Sequence, residues 1–142
     1  MKRISFKGVV IGNIADVVST HIFLIPLMMY FLISSRWGLS SDHAAGSVTE
    51  ILLGNTAFTV WSSILGGLGS ALGGYVSARI AKHDEVLNGA ASSVLSVGAV
   101  VYSVISGSAA DHLWHYLVFL PLSPALAALG GYLRSRNNSS ED

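Results

Sequence analysis

The stretch Ile64 to Arg79 reads I-L-G-G-L-G-S-A-L-G-G-Y-V-S-A-R, with no charge until its last residue. Small residues recur in it every four positions: Gly66, Ser70 and Gly74 form one row, Gly69, Gly73 and Ser77 another. Positions four apart share a helix face, so each row is a strip without bulky side chains. In water each of these glycines would cost a helix roughly 1 kcal/mol against alanine. In a bilayer the backbone must bond to itself in any case, and small residues let a neighbouring helix approach closely. The stretch therefore predicts a transmembrane helix built for tight packing, and the rest of the chain has to supply its neighbours.

Composition agrees with that environment. The 142 residues are 51% hydrophobic and 11% charged, whereas a soluble domain carries roughly 25% charged residues. The length suits one domain. Absence of cysteine excludes disulfides, thiolate metal sites and a cysteine nucleophile. The formal net charge is zero and the basic residues sit near helix ends, which argues against nucleic-acid binding. No nucleophile elbow, phosphate loop or zinc-protease helix occurs. Gly66-Gly67-x-Gly69 is not a dinucleotide fingerprint, because no strand precedes it. The expectation is a non-enzymatic integral membrane protein without a cofactor, with the lipid bilayer as its first partner.

Four spans are predicted, at about residues 8–33, 56–80, 86–110 and 112–134, making residues 1–136 a four-helix transmembrane domain and 137–142 a polar cytoplasmic tail. The apolar run after Lys7 reaches Ile33, about twice a signal-peptide core of roughly 7–15 residues, so it is expected to stay as the first span. Pro26, Pro121 and Pro124 are expected kink sites. Residues 41–54 read either as a short amphipathic helix in the interface, broken at Gly54-Asn55, or as an extension of the second span. Along the third span Ser92, Ser96, Ala99, Ser103 and Ser106 recur at spacings of four and three, a small-residue seam for another helix.

With four spans, Lys2, Arg3, Lys7, Arg79, Lys82, Arg134 and Arg136 fall on one side and only Arg36 on the other. That asymmetry predicts cytoplasmic termini. Ala71-Leu-Gly-Gly-Tyr75-Val-Ser-Ala-Arg79 also aligns without gaps on Ala128-Leu-Gly-Gly-Tyr132-Leu-Arg-Ser-Arg136, bringing Gly130 and Gly131 into the packing set. This predicts a duplicated helical hairpin whose halves are related by an axis along the membrane normal. Convergence of glycine-rich spans that end in an anchoring Tyr and a snorkelling Arg is the alternative. The run G-G-Y-V-S-A-R-I-A-K, followed by Asn88-Gly89-Ala90, resembles a pattern in small uncharacterised prokaryotic four-span membrane proteins. That resemblance implies a four-helix membrane fold in a prokaryotic inner membrane and brings no active site with it.

Asp16 is the residue with most chemical interest. It lies about 12 Å along the helix from Gly8 at 1.5 Å per residue, inside the hydrocarbon of a first span. Asn13 and Thr20 share its face, whereas His21 points elsewhere. Ionisable residues at such depth face a bundle interior or a water-filled path. Ser70 and Ser96 fall at similar depth and are candidate partners. On the opposite side of the membrane His43, Asp111, His112 and His115 are candidate metal ligands, with interfacial polarity and helix capping as the plainer account. Three functional expectations follow. One is a close-packed bundle acting by self-association, as a homo-oligomer, or as an accessory subunit of a partner membrane protein. A second is a small transporter or channel component with Asp16 in the permeation or proton path. A third is a metal-binding membrane protein using the outer cluster.

Overall fold

The computed structural model describes residues 4–38, 52, 54–106 and 113–138. These residues are helical and contain no strand. The elements are α1 (Phe6–Gly38), α2 (Thr56–Ala81), α3 (Glu85–Ala91), α4 (Val94–Ile105) and α5 (Leu113–Asn138). Residues 39–51 fall outside the described residues apart from the edge of the second span, and so does the choice between an interfacial helix and an extended second span. At that edge Asn55 caps α2, its side chain accepting from the Phe58 N–H at 3.2 Å, so the helix begins at Thr56.

The helix ends follow local chemistry. Lys82 closes α2 in the left-handed region at φ 58°, its N–H donating to the Ala78 carbonyl at 3.1 Å. Asp84 repeats the left-handed conformation at φ 44°, and α3 starts immediately after it. α1 continues through Pro26 and α5 through Pro121 and Pro124, so none of the three prolines ends a helix. α5 also runs on to Asn138, which moves the start of the tail two residues past the expected 137.

The third span differs more. Instead of one helix over 86–110 there is an arm broken at Ser92-Ser93 into α3 and α4. The Ser92 hydroxyl donates back to the Gly89 carbonyl at 2.7 Å and the Ser93 hydroxyl to the Ala90 carbonyl at 2.8 Å. Such back-bonding competes with the main-chain ladder and bends helices. Beyond the break, Ala99 and Ser106 are exposed, so the expected seam reaches only as far as Ser96.

Among the described residues two stretches, Phe6–Ser34 and Glu85–Tyr102, are long and apolar enough to cross a membrane. α2 and α5 have the length, 26 residues each, but not the apolarity. Of the four expected spans, only the first and third coincide with stretches of that apolarity, so hydropathy among the described residues does not support four. Glycine and serine add little or nothing to a hydropathy sum, and α2 holds Ser62, Ser63, Gly66, Gly67, Gly69, Ser70, Gly73, Gly74 and Ser77.

The distribution of side chains is the reverse of a soluble core. Asn13, Asp16, Ser70, Ser77, Asn88, Ser92 and Ser93 are buried, while Ile14, Ile22, Ile25, Met29, Trp61, Leu68 and Leu95 are exposed. Asn88 heads the largest wholly buried side chains. In water large apolar residues would fill the interior.

Glycines set the packing. Gly8, Gly12, Asp16 and Thr20, four apart on α1, face Gly69, Gly73 and Ser77 of α2 in descending order, so the two helices run antiparallel. A side-chain carbon at Gly8 would lie 2.8 Å from the Ser77 carbonyl, and one at Gly12 2.8 Å from that of Gly73. At the far end Phe31 and Phe58 close the pair edge to face at 5.6 Å.

Another face of α2, which takes Ser70 and Gly74 from the other row but not Gly66, meets α5. Gly67 meets Leu126, Ser70 meets Ser123, Ala71 meets Gly130 and Gly74 meets Ala127. Taken as pairs, 67 and 70 meet 126 and 123 while 71 and 74 meet 130 and 127, so the contacts advance in the same direction along both helices and α2 and α5 are parallel. The contacts also interchange when the helices are swapped: Gly67 takes the place of Ser123, Ser70 of Leu126, Ala71 of Ala127, Gly74 of Gly130. The sequence echo pairs Gly74 with Gly131 instead. The symmetry of packing is thus one residue out of register with the repeated motif. Gly131, freed from α2, lies against Glu85 and Val86 at the start of α3.

Candidate functional site

Where the first helix passes the middle of α2, Asp16 is only 4% exposed. It fits there because Gly73 and Gly69 have no side chains. A carbon added to Gly73 would lie 2.7 Å from the Asp16 Cβ, and one added to Gly69 3.3 Å from Oδ1 and closer still to the Thr20 hydroxyl. The row of small residues that drew attention in the sequence is therefore the seat of the carboxylate.

Hydroxyls from three helices surround it. Thr20, one turn along α1, donates to Oδ1 at 3.4 Å. Ser70 of α2 spans both oxygens, at 3.4 Å from Oδ1 and 3.3 Å from Oδ2. Ser96 of α4 donates to Oδ2 at 3.1 Å. Ser123 of α5 lies 3.2 Å from the Ser70 hydroxyl and brings a fourth helix to the centre. A carboxylate offers about four lone-pair positions, so three hydroxyl donors leave capacity. All the contacts are long beside the usual 2.5–3.0 Å for hydroxyl bonds, so the centre is assembled but not closed.

It opens on a cavity of about 320 Å³. All four long arms line it, with Asp16 and Thr20 from α1, Ser62, Ser63, Gly66, Gly67 and Ser70 from α2, Ser96, Val97 and Val100 from α4, and Leu122, Ser123 and Leu126 from α5. Asp16 is the sole charged residue that lines it among the described residues. The volume falls at the lower end of the ~300–1,000 Å³ typical of small-molecule sites, which are likewise mostly apolar with a few placed polar groups.

The remaining candidates distribute as follows. Asn13 is buried beside this face, but its amide nitrogen donates to the Val9 carbonyl at 3.1 Å and it does not line the cavity. Its Oδ1 has no partner among the described residues. His21 is exposed and hydrogen-bonded to the Val17 carbonyl at 2.7 Å. Ser92 is buried against the place where a side chain on Gly12 would be. Gly66 departs from the packing role expected of it: a side-chain carbon there would meet nothing within 4 Å. It borders the cavity instead. The side chain of Ser103 lies outside the described residues, as do His43, Asp111, His112 and the side chain of His115. Among the described residues no three His, Cys, Asp or Glu side chains come together.

Sequence reasoning passed over several residues that the structure uses. Gly8 and Gly12 stand one and two turns before Asp16 on its own face, a readable signal. Ser123, between two prolines, carries none. Asn88 is the most consequential. It is wholly buried, and its amide nitrogen donates to the carbonyls of His83 at 2.9 Å and Asp84 at 3.1 Å. Its amide oxygen accepts from the Ser5 N–H at 2.7 Å, and its main-chain carbonyl accepts from the Ser77 hydroxyl at 2.8 Å. One side chain thus holds the α2–α3 turn and the entry to α1. Comparison with protein-family models, curated proteins and solved structures finds no match to this chain.

Proposed function

We propose that this chain is a four-span prokaryotic inner-membrane protein with cytoplasmic termini, and that it acts as a small transporter or channel component with Asp16 in the permeation or proton path. The observation that carries this reading is the convergence of one carboxylate and hydroxyls from four helices on a cavity at mid-bundle. An ionisable group placed so deep in a membrane is expensive unless it serves a path or a partner. The four-span arrangement is supported by the inside-out distribution of side chains. It lets α2 and α5 cross with their small residues covered by neighbours, even though neither is apolar enough to be recognised alone. The parallel course of α2 and α5 suits a duplicated hairpin, and the resemblance of residues 73–90 to small four-span proteins agrees with it.

Self-association is the weaker reading, because the glycine rows that suggested it are occupied within the chain. Gly69 and Gly73 seat α1, Gly74 and Gly130 join α2 to α5, and little of either row is left for a second copy. A test reconstitutes the chain in liposomes holding a trapped pH dye and applies an external pH step. The wild type should relax the gradient faster than protein-free liposomes, and Asp16→Asn should return the rate to the protein-free value. Equal rates for the wild type and Asp16→Asn would refute the reading.

A further inference from the structure

The composition of the cavity wall says more about its occupant than the carboxylate alone. We infer that the Asp16 cavity binds a small organic monocation, a protonated aliphatic or benzylic amine carrying a compact hydrocarbon body. This rests on the reading that Asp16 belongs to a membrane-embedded path, and it names the cargo class.

Charge is the first constraint. Among the described residues Asp16 is the single charged group lining the cavity, so one positive charge balances it and a divalent cation would leave an excess buried in a low-dielectric site. Anions and zwitterions find no cationic group on the wall among the described residues.

The second constraint is where the polar atoms lie. Thr20, Ser70 and Ser96 are drawn to the carboxylate at 3.1–3.4 Å. The hydroxyls of Ser62 and Ser63, two turns away along α2, are turned onto their own helix, donating to the Thr59 carbonyl at 3.0 and 2.6 Å. The walls between are Val97, Val100, Leu122 and Leu126. A bare alkali cation needs oxygens on every side at once, whereas those of this cavity lie at two ends with valine and leucine between them. An ammonium head fits the Asp16 end: its N–H groups donate to Asp16 and to the lone pairs of the hydroxyls, and its hydrocarbon meets the valines and leucines.

Size is the third. About 320 Å³ is far more than an ion requires. An engineered apolar cavity of roughly 150 Å³ already takes up benzene, so a ring and a short amine arm have ample room.

The experiment measures equilibrium binding to the full chain in lipid nanodiscs by calorimetry, with three probes of one shape: benzylammonium, benzyl alcohol and phenylacetate. Benzylammonium should bind saturably, and the other two roughly tenfold or more weaker, the worth of a charge-assisted hydrogen bond. Two variants locate the site independently. Asp16→Asn removes the charge and keeps the shape. Gly66→Leu fills the cavity from a position where a side chain meets nothing within 4 Å, so the fold should tolerate it. Each should weaken benzylammonium binding by roughly tenfold or more. Comparable binding of benzyl alcohol, or full binding by either folded variant, would overturn the inference. An Asp16-dependent proton flux that persists without benzylammonium binding would remove the cargo and leave the path. Absence of any Asp16-dependent flux would remove the path itself.

Discussion

The amide oxygen of Asn88 accepts a hydrogen bond from the main-chain N–H of Ser5 at 2.7 Å, joining residues 83 positions apart. Asn88 sits at the start of α3 and Ser5 just before α1, so this bond ties the entry of one helical hairpin to the entry of the other. The same amide holds the carbonyls of His83 and Asp84 in a turn with two left-handed residues, Lys82 and Asp84. Asn88→Ala should therefore remove a shared partner from part-buried main-chain groups and cost about 1–3 kcal/mol. Unfolding titrations of the detergent-solubilised chain measure it, and an unchanged midpoint would show that water replaces the amide.

The glycines of α2 should divide by what they face. At Gly74 a side chain would run into the Ala127 main chain, and at Gly73 into Asp16 and the Gly12 carbonyl. Gly73→Leu or Gly74→Leu should each cost more than about 2 kcal/mol, in the range of overpacking a filled core. Gly66→Ala should instead be neutral or gain up to about 1 kcal/mol in helix propensity. Thermal unfolding of the three variants in one detergent checks the ordering.

Asp16 separates shape from charge. Asp16→Asn keeps most of the bonding to Thr20, Ser70 and Ser96, so the fold should survive with a loss of about 1 kcal/mol. Asp16→Leu leaves three hydroxyls without their common acceptor and adds branched bulk against Gly69 and Gly73; a loss of about 3 kcal/mol is expected. Circular dichroism and size-exclusion profiles of the two variants distinguish them. Equal stability of Asp16→Leu and the wild type would mean that the carboxylate does not hold the helices together.

Topology is open to a direct assay. A reporter fused after Arg136 should be active in the cytoplasm, and one inserted between Trp37 and Glu50 should be active outside. A C-terminal reporter active outside the cytoplasm would exclude four spans with both termini inside.

The sequence alone determined the helical class, since so uncharged a chain with four-residue glycine periods has few other ways to satisfy its backbone. It also marked Asp16, because a lone acid in a long apolar run is conspicuous without any coordinates. A second-span start at about residue 56 was one of two readings, and the Asn55 cap that fixes it at Thr56 came only with the structure. What the sequence could not decide was which neighbour each strip would meet. Gly69 and Gly66 look alike in a row of small residues, yet one seats Asp16 and Thr20 while the other borders empty space. A missing side chain records that something is close or that nothing is, and only the placement of α1 and α5 tells these apart. The break at Ser92-Ser93 was likewise silent, because serine serves a packing seam and a back-bonded kink equally well. The joining of Ser123 to Ser70 and of Ser5 to Asn88 depends on contacts 53 and 83 residues apart. Periodicity describes one helix at a time, and relations of that length belong to the packed bundle.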